Sequence, residues 1–399
     1  MNLSIIRLDH SVAEIKTSSP GIDIETLSKG VFDFLSCKPA LDDLVTPKWN
    51  VFARRNTSCD SSLNEKLIKS IMRYIKESDR WTALSSILLK SIAFHRHIDP
   101  NMTIDVIAEQ KLPIVDLPRT KFNRPYLPLP LVEREQKSAH DANEEVKESR
   151  ESMINVSHQY PYICLVQKRG SEHMLQTQIG CDLVVFELRL NKFMPTITDF
   201  LQSFVGCFTS TEWQSISNDA SSIPRSDDIL LKEFYLRWAM KEAYTKALGL
   251  GMNIDFDSFE TRLIGYDTDG AGCWIPHGGI WDSIATDMQN NSCNNQIKLQ
   301  FSCVGQVVRT RESKPEEYWV FTFIPLVDKV AETSKQSSKR VSESRGCICV
   351  CEGPYNDEAV AVTASNSKDR IVMEHLTLVE LIQLHGMKIS DIIHSVDTA

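Results

Sequence analysis

The chain has 399 residues, with 44 Lys and Arg against 53 Asp and Glu, which gives a formal charge of -9. Its 42% hydrophobic and 24% charged content is that of an ordinary globular protein with room for roughly two or three domains, and it excludes collagen, coiled coil and wholesale disorder. No apolar run reaches the ~18 to 20 residues of a membrane span, and the acidic balance argues against a broad nucleic-acid surface.

At the start of the chain Asp9, Glu14 and Asp23 leave no long apolar stretch, so a secretory signal is not expected. Eleven unevenly spaced cysteines then suggest a reducing, cytoplasmic setting. Over residues 67–92, Leu67, Ile71, Ile75, Leu84, Ile87, Leu88 and Ile92 fall at helical spacing and predict one or two helices packed on a sheet. Residues 111–130 are punctuated by proline and read as extended chain with turns. The composition shifts over 132–152 to Glu, Lys, Ser and Asn, which reads as an inserted mobile loop.

Strands are predicted at 153–157 and 162–166 around a turn, and again at 178–186. Helical pieces at 196–208 and 211–216 lead to a longer helix at 229–248, which stops at Gly249 with Gly251 just beyond. Leu231, Phe234, Trp238, Ala243 and Leu248 read as its apolar face. Strands follow at 256–263, 297–304 and 318–324, and the Ser/Lys-rich stretch 331–345 reads as a flexible linker. Cys347, Cys349 and Cys351 alternate as residues on one strand face do, whereas zinc sites rely on paired C-x2-C units. A helix is predicted at 376–384, and the extension 346–399 carries no assigned role.

Three short features can carry chemistry. The strand over residues 154–158 (INVSH) ends in the hydroxyl of Ser157 and the imidazole of His158, which suits a phosphate; the plainer alternative is a histidine capping a turn. Gly180, Cys181 and Asp182 place a carboxylate in an apolar strand, where it must be paired, bind metal or lie at a strand end. The segment 238–246 (WAMKEAYTK) puts Glu242 and Lys246 on one helical face. A solvated ion pair is the ordinary reading there, but the aromatic neighbours and the glycines at 249 and 251 point to tight packing against another backbone.

Taken in order, NVSH (155–158), G-x-D (180–182) and WxxKEAYxKxxGxG (238–251) resemble the motifs of the 4′-phosphopantetheinyl transferases. The resemblance is to the large monomeric class that includes the surfactin-synthetase activator and the animal aminoadipate-semialdehyde-dehydrogenase transferase. Residues 119–125 (RTKFNRP) are similar to the family's basic, proline-ended segment, and 208–213 (FTSTEW) to its FTxxEW stretch. The likeness runs over residues 45–265 and more loosely to 325.

The resemblance implies an α+β fold of two similar halves, 1–175 and 176–330, with coenzyme A and Mg²⁺ in the cleft between them. It implies transfer of phosphopantetheine from coenzyme A to a serine of an apo carrier protein, releasing adenosine 3′,5′-bisphosphate. The carriers it implies belong to fatty-acid synthases, polyketide or peptide synthetases, or an aminoadipate reductase of lysine biosynthesis. The enzyme would be a monomer with no nucleic-acid or membrane partner. By position, Asp182 and Glu242 match the metal carboxylates, Glu242 also the base for the carrier serine, and Lys246 the lysine that contacts the phosphate and stabilises the leaving group. Arg119, Thr120, Lys121 and Arg124, with Asn155, Ser157 and His158, match positions that hold the nucleotide and its 3′-phosphate.

Two positions depart from the pattern. Val184 stands where many members have an acid, leaving two metal carboxylates, and strand alternation points it toward the metal. Ile87 stands where an arginine often contacts coenzyme A, with Lys90 and Arg80 the nearby cations left to replace it. A metal-dependent phosphodiesterase and a non-catalytic carrier-binding relative are the alternatives.

Overall fold

The computed structural model describes residues 1–18, 23–36, 61–98, 114–122, 124–127, 154–168, 177–188, 192–217, 225–266, 272–274, 279–292, 300–309, 317–326, 344–366 and 371–384. The loop expected at 132–152 lies outside them, as does the linker over 331–343. The chain divides into two units, Met1–Ser171 with Ile371–Ala399, and Glu172–Arg370. Both mix helices and strands, the α+β class expected.

In the first unit Leu3, Ile5 and Ile6 make a run short enough for one buried strand, β1 (Asn2–Arg7). Strands β2 (Ile154–Gln159) and β3 (Tyr162–Gln167) form a hairpin, and β3 pairs antiparallel with β1. The last strand among the described residues, β10 (Val372–Leu376), joins the other side of β1 in parallel, giving the order β10-β1-β3-β2. Helices α1 (Leu8–Ser18), α2 (Ile24–Ser36), α3 (Ser61–Met72) and α4 (Glu77–Ile98) precede the hairpin. The apolar pattern predicted over 67–92 is thus two helices, and Ile75, expected on their buried face, sits between them at 95% exposure. Trp81, Leu84, Leu88 and Ile92 of α4 are buried, and this helix packs on β3.

Among the described residues the second unit holds one antiparallel sheet. Its strands are β4 (Gln178–Val185), β5 (Phe259–Tyr266), β6 (Gly272–Trp274), β7 (Phe301–Arg309), β8 (Glu317–Leu326) and β9 (Gly346–Tyr355), in the order β4-β9-β8-β7-β5-β6. Helices α5 (Ile197–Gln202), α6 (Ser210–Ser217), α7 (Asp227–Ala247), α8 (Ile280–Ser292) and α9 (Glu358–Ser365) belong to the same unit. Helix α7 covers β4 and β9, while Ala361 of α9 clusters with Ile264, Val304 and Val320.

Strand β9 corrects the expected domain boundaries. Residues 346–355 are not a separate extension: they fill the gap between β4 and β8, with Asp182 opposite Cys349 and Phe323 opposite the same cysteine on the other side. Cys347, Cys349 and Cys351 alternate into the cluster beneath α7, beside Cys303, Phe321 and Phe323. Burial pushes the Cys303 thiol up to about 12 and the Cys349 thiol well up, so these sulfurs pack as apolar groups. The chain then leaves this unit, and β10 and helix α10 (Leu378–Leu384) belong to the first.

Candidate active site

The site begins where β4 meets α7. A side-chain carbon at Gly180 would press into the carbonyl oxygen of Ala243 and stand 2.5 Å from the nitrogen of Ala247, so only glycine lets strand and helix approach this closely. The approach expected at the glycines after the helix occurs here instead. Gly249 and Gly251 serve another purpose: both have positive φ, and space is open around a Cβ at Gly251. Gly249 N donates to Lys246 O at 3.0 Å and Leu250 N to Thr245 O at 3.1 Å, which closes the helix end in a Schellman turn. Gly180→Ala is expected to cost about 2 kcal/mol through overpacking against backbone that cannot yield locally. A urea titration of the purified variant checks it, with an unchanged midpoint counting against the close approach.

Two residues along β4 the same face carries Asp182, and one turn of α7 carries Glu242 and Lys246. The Lys246 ammonium donates to Asp182 Oδ1 at 2.6 Å. Burial works against the charge of Lys246, but Asp182, Cys181 and Glu242 outweigh it and raise its pKa, so the lysine is a fixed cation. Glu242 is half-buried, and its pKa is raised, chiefly by burial; Lys246 opposes the shift and Asp182 adds to it. The arrangement is two carboxylates and one lysine within mutual electrostatic reach. Among the described residues no larger group of His, Cys, Asp or Glu is placed to hold a metal ion.

Val184 shares the face of Asp182, as alternation requires, but it does not stand open toward that pair. It is 3% exposed in the cluster that contains Leu236, Ala239, Met240 and Ala243. Burial argues against an acid at this position. Val184→Glu is expected to cost about 2 kcal/mol of stability, because a carboxyl enters an apolar cluster without a partner. Thermal melting followed by circular dichroism tests this, and a melting temperature equal to the parent's would mean the side chain escapes to a polar site.

Lys241, next to Glu242 in the sequence, points about 100° away around the helix. It is 1% exposed, and its ammonium reaches Glu212 Oε2 at 2.9 Å and the carbonyl oxygens of Phe256 and Phe259 at 2.7 and 2.8 Å. Glu212 in turn accepts from Thr261 N and Thr209 N, both at 3.0 Å. This buried network ties α7 to α6 and β5 and so sets the rotation that turns Glu242 and Lys246 toward Asp182. Burial lowers the pKa of Lys241, with Glu212 acting against it. The apolar residues of α7 likewise face two ways. Leu231 and Phe234 pack with Phe200, Phe208 and Ile216, whereas Ala243 faces the sheet.

The remaining expected residues lie in the first unit. Arg119, Thr120, Lys121 and Arg124 share one turn, closed by Thr120 N to Arg124 O at 2.9 Å and by an Arg119–Pro125 bridge. The Thr120 hydroxyl is already used there, accepting from Arg124 N at 3.3 Å. Residues 155–158 do not end a strand but run within β2, where Asn155 and Ser157 are buried and His158 is exposed, on alternate sides. The three are therefore not presented on one face.

The segment that builds the carboxylate–lysine site is also the segment that comparison with known proteins recognises. Residues 178–269 match the 4′-phosphopantetheinyl transferase superfamily. The superfamily match takes in Gly180, Asp182, Glu212, Lys241, Glu242 and Lys246 together. Among curated proteins, the chain is similar to an L-aminoadipate-semialdehyde dehydrogenase-phosphopantetheinyl transferase of Xenopus laevis, 30% identical over 28% of this chain and 32% of the relative. A protein of the same description from Schizosaccharomyces pombe is 28% identical over 51% of this chain and 65% of its own length. A 4′-phosphopantetheinyl transferase of Paxillus involutus is 32% identical over 29% of this chain and 40% of the relative. The chain thus spans between a third and two thirds of these relatives' lengths. Sequence reading had Asp182, Glu242 and Lys246 as the phosphopantetheinyl-transferase positions; it missed that Lys241 and Glu212 position them. The signal was the adjacency of Lys241 and Glu242, which a helix must send to different faces.

Proposed function

We propose that this protein transfers 4′-phosphopantetheine from coenzyme A to a serine of an apo carrier protein, as a holo-carrier-protein synthase. The observation that carries the reading is the pairing of Asp182 with Lys246 beside Glu242, within the segment similar to the superfamily. The two-half arrangement implied by the resemblance belongs to this reading.

The donor set suits Mg²⁺, which takes hard oxygens and commonly only one or two carboxylates, with water and phosphate oxygens for the rest. Asp182 and Glu242 would hold it, and when bound it supplies neutralisation of diphosphate charge. The protein's own groups do the remainder. Glu242, made more basic by burial, accepts the proton of the carrier serine hydroxyl, directly or through a water. Lys246, held charged by Asp182, meets the charge that develops on the departing adenosine bisphosphate. The cations of the 118–126 turn, Arg119, Lys121 and Arg124, are proposed to hold the nucleotide, with Asn155 and Ser157 on one side of β2 and His158 on the other making separate contacts.

Incubating the protein with an apo carrier domain, coenzyme A and Mg²⁺ tests the proposal by mass spectrometry. The carrier is expected to gain one phosphopantetheinyl group at its serine. Hydrolysis of coenzyme A without that gain would make the protein a phosphodiesterase, and carrier binding without either change would make it a non-catalytic relative.

A further inference from the structure

We propose that the Lys246 ammonium competes with the divalent cation for Asp182, so that this chain takes up its metal together with the diphosphate of coenzyme A. The inference deepens the transferase reading above and rests on it. Lys246 Nζ lies 2.6 Å from Oδ1 of Asp182, the carboxylate that a hard cation would also bind directly. An ammonium and a doubly charged ion on one carboxylate repel each other, and the more so in a partly buried site. Binding of either therefore weakens the other. The i,i+4 partner at hand for Lys246 is Glu242, one turn earlier on α7. Lys246 reaches across to β4 instead, and the Glu242 carboxylate makes no hydrogen bond or ion pair among the described residues. Of the two acids, Asp182 alone is thus held by this ammonium.

The fold decides which partner can move. Asp182 is held on β4 opposite Cys349 of β9, and Gly180, two residues before it, lies pressed against α7. Its side chain is 9% exposed, against 26% for that of Lys246. The backbone of Lys246 is fixed too, because its carbonyl accepts from Gly249 N in the turn that ends the helix. The freedom left is in the lysine's four-carbon stem, which lets the charged head swing toward solvent while the stem stays packed. Diphosphate oxygens arriving on that open side offer the ammonium a second anion. Lys246 then exchanges a carboxylate for a phosphate and gives up little, while Asp182 is released.

Titration of the full chain with Mn²⁺, which suits the same oxygen ligands and whose free ion is counted by electron paramagnetic resonance, decides the matter. The chains compared are wild type, Lys246→Met, which keeps an apolar stem without the charge, and Lys246→Arg, which keeps the charge. Without coenzyme A, Lys246→Met is expected to bind Mn²⁺ about tenfold or more tightly than wild type, and Lys246→Arg within about threefold of it. With coenzyme A present the gap between wild type and Lys246→Met is expected to close. Equal affinities of these two without coenzyme A, undetectable binding in both included, overturn the competition, as does a gap that coenzyme A leaves unchanged. If Lys246→Met fails to fold, amine labelling of wild type read by peptide mass spectrometry decides. Mg²⁺ is then expected to raise labelling at Lys246 about twofold or more, and unchanged labelling overturns the proposal. A wild type that transfers to a carrier but shows equal affinities overturns only the competition. Chains that bind no Mn²⁺ even with coenzyme A overturn the metal-dependent transferase reading itself.

Discussion

A chain ending at Arg370 is expected to lose the cooperative folding of its first unit. The residues removed include β10 and α10, whose Leu376, Leu378, Leu381 and Ile382 are all buried in that unit. Burying such side chains contributes about 1.5–3 kcal/mol each, so their loss removes roughly 6–12 kcal/mol as an upper estimate. That is comparable with the whole stability of a typical domain, about 5–15 kcal/mol. Two further losses act in the same direction. Arg96, whose guanidinium grips both Glu374 oxygens at 2.8 and 3.0 Å, is left buried without its carboxylate. Strand β1 also loses its parallel neighbour and becomes an open edge. Limited proteolysis and thermal melting of the shortened chain against the full one measure the effect. A shortened chain that melts in the same transition, with the first unit equally protected, would show that the C-terminal segment only decorates a unit already complete.

That segment also shows where sequence reading reaches its limit. Helix α7, the hairpin of β2 and β3, and strands β4, β5 and β8 were legible because their patterns are local: periodicity, glycine stops and β-branched runs. The alternating cysteines were legible as a strand for the same reason, since the period of two is written in adjacent residues. Strand β1 was not, because Leu3, Ile5 and Ile6 are too few to separate strand from helix. Its pairing of Ile5 with His375 joins the two ends of the chain, and nothing local encodes such a partner. The domain boundary failed by the same route, because β9 and β10 follow one another in sequence yet belong to different units. In the candidate site, Asp182, Glu242 and Lys246 came from motif resemblance. Lys241 shows what resemblance omits. A buried lysine in a charged motif looks like chemistry in one dimension, and only its burial against Glu212 reveals the anchor.

Lys246→Ala is expected to lower the turnover number about 100- to 1,000-fold, a loss of roughly 2.7–4 kcal/mol in the transition state, while the Michaelis constant for coenzyme A moves little. A group that meets charge only as it develops stabilises the transition state more than the bound substrate. The geometry supports that division of labour. Before substrate arrives the ammonium is held by Asp182 at 2.6 Å, so it is preorganised and kept charged without any phosphate present. Removing it also takes away the influence that opposes burial and Asp182 at Glu242, whose carboxyl then shifts further up. The rate of the variant is therefore expected to begin its rise at a higher pH than that of wild type, since the proton acceptor must be ionised to act. Saturation kinetics across pH, with melting temperatures to confirm folding, separate the possibilities. An unchanged turnover number with a raised Michaelis constant would make Lys246 an ordinary binding residue. A lowered turnover number with an unshifted pH profile would place the loss on the leaving group alone and remove Glu242 from the base role.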